Sequence, residues 1–335
     1  MNSEAGFCHR LGAHCESSTI AGLLRHAGAP LSEPMVFGIA GAIFFGYFDT
    51  RMLPFPTFTA RSQPGKIRDY LTKYLRIEFP GRRFRHPGKA SAALDALLAR
   101  GTPAAVQVDF FYMDYVPPYS RAHFNGHFVT VAGKRDGVYW VSDAYCAELK
   151  PLDAATLERA RFARGSFAPR GFMYHVGKVP ANLDIEKAIR RGIKHAAFFM
   201  LRLPIPFLGV AGIRRLAKKL LDWPRHAVSV DRLAHEMMMI HVMLEDRGTG
   251  GAGFRYLYAT FLQEAAGVLG KQELACLARE MMENGDAWRA ISLFAARTGK
   301  KRDVGPDRLE ELSAMVRARA DAEERLFQEL AKVVA

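Results

Sequence analysis

The stretch Gly12-Ala13-His14-Cys15-Glu16-Ser17-Ser18-Thr19 puts a cysteine where a helix begins. Ser17, Ser18 and Thr19 are cap-type residues, and Ile20, Leu23, Leu24 and Ala27 follow at helical spacing. A helix from about Cys15 to His26 is predicted, closed by Gly28 with Pro30 just beyond. A thiol at a helix N-terminus faces the positive end of the macrodipole, which favours the thiolate, the form that attacks. The competing reading of the same residue is a small cysteine packed beneath the helix.

Outward from this stretch, the chain reads in two parts. Ser32 caps a second helix with Glu33 and Pro34 in its first turn, and Ile43 to Phe48 has strand composition. Residues 49–63 are rich in turn formers and read as a loop. Helices are predicted over about 66–74 and 90–100, with a short strand region at 76–85 between them. The period then changes to strands at 104–109, 128–133, 138–143 and 172–176, the middle two joined by the turn Arg135-Asp136-Gly137. Beyond about 181 only helical periodicities are read, over 184–202, 213–221, 228–246, 254–269, 271–297 and 306–334. The expectation is an α+β protein: a catalytic domain with an antiparallel sheet over 1–180, then an all-α domain over 181–335. Gly248 to Gly253 lacks the ending of a phosphate-binding loop and follows no strand, so a hinge or close helix packing is expected there.

Composition narrows the class. The 335 residues carry 47 Lys plus Arg against 34 acids, a formal net charge of +13. That balance points to an acidic partner, with a basic surface kept for solubility as the plainer reading. No nucleic-acid reading motif or stacking platform accompanies it, so nucleic acid is not expected. Four cysteines without a paired spacing argue against a disulfide framework or a metal site and for a reducing, cytoplasmic setting; Cys8, Cys146 and Cys276 read as packing residues. No secretory leader is visible. The apolar run 34–48 is too short to span a bilayer, and 195–213 is broken by Arg202, Pro204 and Pro206. Peripheral membrane contact is compatible with the mixed apolar and basic stretch 195–221.

A thiolate needs a base and an orienting group. Gly126-His127-Phe128 opens one strand and Asp143 ends the next, so a hairpin brings His127 and Asp143 together. His127 would take the proton from Cys15, and Asp143 would hold the imidazole in one tautomer. Each also has an ordinary reading, as a turn residue or a cap. The oxyanion needs donors: the Cys15 backbone N–H is one, and His9 and His14 are side-chain candidates, with no glutamine nearby. Asn125 and His123 precede His127 and either line the cleft or shape the loop. Phe44, Phe45, Phe110, Phe111 and Tyr112 are available for an apolar cleft, with core packing as their default role.

A cysteine helix followed by a sheet that supplies His and Asp is the order of papain-like folds. His14-Cys15-Glu16-Ser17-Ser18, Met35-Val36-Phe37-Gly38, Gly126-His127-Phe128-Val129-Thr130-Val131 and Val141-Ser142-Asp143 resemble the N-terminal domain of the butirosin biosynthesis protein H family. Pro204-Ile205-Pro206-Phe207 and Gly248-Thr249-Gly250-Gly251 resemble the helical domain of unknown function that often follows it. The resemblance implies a papain-like fold, Cys15, His127 and Asp143 as the triad, and acyl transfer from an acyl-carrier-protein thioester, or coenzyme A, to a small-molecule amine or hydroxyl. It implies no cofactor and no metal. The basic clusters Arg190, Arg191 and Lys194, and Arg214, Arg215, Lys218 and Lys219, are then the docking candidates for an acidic carrier protein, and solvated helix faces otherwise. The alternatives are a cysteine peptidase, amidase or thioester hydrolase, and a non-catalytic protein that holds a carrier or a membrane. The helices after 181 also suit a homo-oligomer surface or a lid.

Overall fold

The computed structural model describes residues 3–246 and 248–335. In chain order the elements are β1 (Ser3–Glu4), β2 (Phe7–Cys8), α1 (Cys15–His26), α2 (Glu33–Ile39), β3 (Ile43–Phe48), β4 (Thr57–Arg61), α3 (Lys66–Leu75), β5 (Gly81–Arg82), α4 (Pro87–Leu98), β6 (Ala104–Val108), β7 (His127–Arg135), β8 (Val138–Ser142), β9 (Lys150–Asp153), α5 (Ala154–Arg161) and β10 (Met173–Tyr174). Helices α6 (Ile185–Leu201), α7 (Gly209–Leu220), α8 (Trp223–His226), α9 (Val230–His241), α10 (Arg255–Leu269), α11 (Gln272–Lys301) and α12 (Pro306–Val333) complete it. The protein is α+β. Its main sheet is antiparallel, with strand order β5-β10-β6-β7-β8-β9.

Strand β6 is buried along its whole length, and β7 along its first seven residues. Such runs require cover on both faces. On one face Val106, Val108, Val129, Val131, Val141 and Met173 pack with Leu94 and Leu97 of α4 and Leu157 and Ala160 of α5. Each such aliphatic side chain contributes about 1.5–3 kcal/mol on burial. On the other face α1 lies against β6 and β7, and the Thr19 hydroxyl donates to the Phe128 carbonyl at 3.4 Å.

The chain divides into two units. One holds the residues up to Val36 together with Ile67–Leu183; the other holds Phe37–Lys66 with Asp184–Ala335. The later boundary lies three residues beyond the expected 180/181, whereas the expectation of a contiguous first domain differs over Phe37–Lys66. Strands β3 and β4 form their own two-stranded sheet inside the helical unit. There Phe45 stacks on Phe58 and Trp288, and the Gly38 Cα sits so close to Phe261 that an added Cβ would lie 1.9 Å from the ring. Strand β4 falls in a stretch read as loop: its alternation of half-buried and buried residues overrides the prolines before it. Strand β9 and helix α5 were not expected either.

In the helical unit α11 packs against α9, α10 and α12, and α12 packs against α6 and α7. Its centre holds an ion pair at zero exposure: Arg255 donates to both Glu323 oxygens at 2.8 and 2.9 Å, and Asn284 and Trp288 donate to the same carboxylate. The glycine-rich segment before α10 is a tightly packed reversal. Positive φ at Gly250, Gly251, Ala252, Gly253 and Phe254 turns the chain, and Thr249 ties it to the Leu244 carbonyl at 2.6 Å. Among the described residues no helix is long and apolar enough to cross a membrane.

Candidate active site

Helix α1 starts at Cys15 because the chain before it is extended and pinned. His14 is the N-cap residue, its Nδ1 2.9 Å from the Ser17 hydroxyl and 3.3 Å from the Ser17 amide. Glu33, from the start of α2, accepts from the backbone N–H of Ala13 and of His14, each at 2.8 Å, and from the Ser17 hydroxyl at 2.9 Å. Burial raises the Glu33 pKa despite these three donors. Sequence reasoning gave Glu33 only a place in the first turn of its own helix. The signal for more was two helix starts with unsatisfied N–H groups and one carboxylate between them. Gly12 is required by close approach, since a Cβ there would lie 2.2 Å from the Ser18 hydroxyl and 3.0 Å from a Glu33 oxygen.

His127 opens β7. Its Nε2 donates to Asp143 Oδ2 at 2.8 Å, which turns Nδ1 away from the carboxylate, and Cys15 lies near enough to bear on the charge of this ring. The three side chains are 5%, 2% and 0% exposed, so they meet in a largely dehydrated place. The structure thus brings Cys15, His127 and Asp143 together. The route is less direct than a simple hairpin. Continuing the register Thr130↔Ser142 sets residue 145, not 143, across from His127. Tyr145 stacks on the imidazole with centroids 5.8 Å apart, Phe110 meets it edge-on at 4.9 Å, and Asp143 reaches it from beside the pair. Asp143 also accepts from the Tyr115 hydroxyl at 2.8 Å and from the Tyr145 backbone N–H at 3.4 Å.

Burial alone would lower the His127 pKa, but the Asp143 charge and hydrogen bond, aided by Cys15, push it up to about 10. Burial alone would raise Asp143, yet His127, then Tyr115 and the Tyr145 amide, hold it below the usual carboxylate range. Nearby Cys146 goes the other way: burial and the Asp143 charge push its thiol up to about 11. Cys146 and Cys276 are half-buried, as packing residues, whereas Cys8 is exposed, contrary to expectation.

The segment before α1 is stitched to the turn that carries Asp143. Gly12 N–H donates to the Ala144 carbonyl at 3.0 Å. His9 donates through Nε2 to the Cys146 carbonyl at 2.8 Å, and its Nδ1 is taken by the Ser142 hydroxyl at 2.7 Å. Both ring nitrogens of His9 are therefore engaged in this clasp and neither is available to an oxyanion. Asn125 donates to the carbonyls of Arg164 and Ser166, each at 3.0 Å, and so shapes the neighbouring loop. Gln107, missed from sequence, braces the same loop through the Asn125 and Phe167 carbonyls at 2.7 and 2.8 Å. His123 is exposed, bonded to Asp109 at 2.7 Å and stacked on Phe111. Of the aromatic residues considered for a cleft, Phe110 faces His127, while Phe44 and Phe45 belong to the helical unit and pack on Phe199 and Phe58.

The basic residues of α6 and α7 are not equivalent. Arg214 pairs with Asp321 at 2.8 Å and Glu324 at 2.7 Å, and Lys219 pairs with Asp222 at 2.9 Å, so these two are neutralised within the chain. Arg191, Lys194 and Lys218 are exposed, and Arg190 and Arg215 half-buried.

The family model described as Butirosin biosynthesis protein H, N-terminal, matches residues 14–144, and the model described as Domain of unknown function (DUF4872) matches 155–330. The first match opens one residue before Cys15 and closes one residue after Asp143. No curated protein matches the chain. With an N-terminal domain of this kind followed by the domain of unknown function over more than half of its length, the protein belongs to the family of butirosin biosynthesis protein H-like proteins.

Proposed function

We propose that the protein is a cysteine-dependent acyltransferase with a papain-like arrangement of its first unit, acting in a cytoplasmic biosynthetic route. The observation that carries the reading is the convergence of Cys15, in the first turn of a helix, on the hydrogen-bonded His127–Asp143 pair. An imidazole held protonated by a buried carboxylate, beside a thiol at a helix N-terminus, favours a thiolate–imidazolium pair. The Cys15 thiolate attacks the carbonyl carbon of a thioester, and the electron pair of the C=O bond moves to oxygen. Collapse expels the donor's thiolate, which takes the His127 proton. An amine or hydroxyl of a small-molecule acceptor then attacks the Cys15 acyl group, gives its proton to His127, and releases the Cys15 thiolate. Tyr115 and the Tyr145 amide hold Asp143 in place through both half-reactions.

The donor in this reading is an acyl chain on an acidic carrier protein or on coenzyme A. Arg190, Arg191, Lys194, Arg215 and Lys218 on α6 and α7 supply the positive surface for a carrier. The test is intact-mass measurement of the full chain with an acyl thioester of N-acetylcysteamine. An adduct on Cys15 that is absent in Cys15→Ala, retained in Cys146→Ala, and discharged by added amine supports transfer. Discharge by water alone makes the protein a hydrolase or amidase. No adduct, with carrier binding intact, makes it a binding protein.

A further inference from the structure

Tyr174 is the second and last residue of β10, opposite Ala105 of β6 and Gly81 of β5. Side chains alternate along a strand, so Met173 enters the core under α4 and α5 while Tyr174 points to the face that α1 covers. Its ring lies 6.1 Å from that of Phe128, whose carbonyl receives the Thr19 hydroxyl of α1. Thr19 is four residues after Cys15 and therefore on the same side of the helix. The Arg68 guanidinium covers the Tyr174 ring at 5.2 Å. The residue is 2% exposed, and its hydroxyl has no hydrogen-bond partner among the described residues.

A buried hydroxyl without an acceptor is costly and uncommon, and a catalytic role is one of the reasons such a group is kept. Burial raises this phenol strongly; the charges of Glu16 and Cys15 raise it further, against Arg68, so it remains an O–H donor throughout the working pH range. The Tyr174–Phe128 ring contact, with the Phe128 carbonyl tied to Thr19, sets the residue under the first turns of α1. His9, the expected donor, is engaged elsewhere.

Resting on the acyl-enzyme reading, we propose that Tyr174 is the side-chain oxyanion donor, a catalytic residue that hydrogen-bonds the acyl carbonyl oxygen while Cys15 is attached to it. The new bond is between Cys15 sulfur and the carbonyl carbon, and the displaced π pair sits on oxygen facing Tyr174 and the Cys15 N–H. Tyr174 keeps its proton. The pair returns as the donor's thiolate leaves with the proton of His127.

The experiment compares the full-length protein with Tyr174→Phe in two reactions of Cys15. Acylation by the N-acetylcysteamine thioester builds an oxyanion; alkylation by iodoacetamide does not. Acylation falls about 100-fold or more, the effect of one lost oxyanion donor. Alkylation stays within about twofold, and the melting temperature is unchanged or higher because phenylalanine keeps the ring and removes the orphaned hydroxyl. Equal acylation, a parallel fall in both reactions, or a lower melting temperature overturns the assignment. If the wild-type protein is alkylated at Cys15 but never acylated, the acyl-transfer reading itself fails and Tyr174 has no oxyanion to serve.

Discussion

Replacing Asp143 with asparagine keeps the shape of the site and removes the charge that holds His127 protonated. His127 is pushed up to about 10 from an ordinary value of about 6.5. At about 1.4 kcal/mol per unit, that difference corresponds to roughly 5 kcal/mol of preference for imidazolium in the folded state. The side chains are almost wholly buried, so solvent screening takes little from it. Breaking a buried pair from one side costs about 3–5 kcal/mol by direct comparison, which agrees. A raised histidine stabilises fully below about pH 6.5 and loses that contribution as pH rises through about 10. The lowered Asp143 stabilises above the ordinary carboxylate range and loses its contribution as pH falls through its lowered value. Thermal unfolding of wild type and Asp143→Asn between pH 6 and 10.5 therefore gives curves that are widest apart near pH 6, draw together steadily as pH rises, and meet above about 10. At about 2–4 °C per kcal/mol the separation is on the order of 10 °C. In the variant burial is opposed only by Cys15, His127 loses most of its preference for the charged form, and Cys15 alkylation slows. A wild-type His127 ring proton titrating near 6.5 by NMR, or two curves that stay parallel through pH 10, would refute the ion-pair account.

Gly12→Ala forces a Cβ against Ser18 and Glu33 and should cost about 1–3 kcal/mol in chemical denaturation while slowing Cys15 alkylation, because the same segment positions the thiol. Glu323→Gln leaves the buried Arg255 charge half-answered and should cost about 3–5 kcal/mol, read as a lowered denaturation midpoint, with the Cys15 environment unchanged. Reversing charge with Arg191→Glu and Lys194→Glu should weaken turnover of a carrier-bound acyl group severalfold or more at low salt. The same variants should leave acylation by the N-acetylcysteamine thioester as it was.

What was legible in the sequence was local. Helix α1 is written in its cap residues and apolar spacing, and β7 and β8 in their runs around Asp136-Gly137, where both residues take positive φ. The juxtaposition of His127 and Asp143 follows from that hairpin even though the shift between Val131 and Gly133 changes which residue lies directly across. Strand β4 was not legible, because Pro54 and Pro56 signal a turn and the partner strand β3 that makes Thr57–Arg61 a strand is supplied by tertiary pairing. The assignment of Phe37–Lys66 to the helical unit was hidden for the same reason: chain continuity says nothing about which core a segment's phenylalanines enter.

The residues that carry the chemistry and those that hold them differ in kind. Cysteine at a helix start, histidine at a strand start and aspartate at a strand end each have an ordinary reading singly, and they stand out as a set in that order. Glu33, Gly12, His9 and Gln107 form no such set, and their roles exist only as distances across 16 to 137 positions of chain. The clasp makes the point physically. Gly12 and His9 bind the Asp143 turn through backbone carbonyls of Ala144 and Cys146, groups every residue possesses, so no side-chain pattern at 144 or 146 announces the contact. His9 drew notice as a donor for substrate because it is a histidine near the nucleophile. Its geometry instead gives both nitrogens to the protein, and a buried donor without an acceptor among the described residues is found on a tyrosine 159 residues after Cys15. Histidine type alone therefore overstates function, and the decisive quantity is whether a buried donor's capacity is already spent.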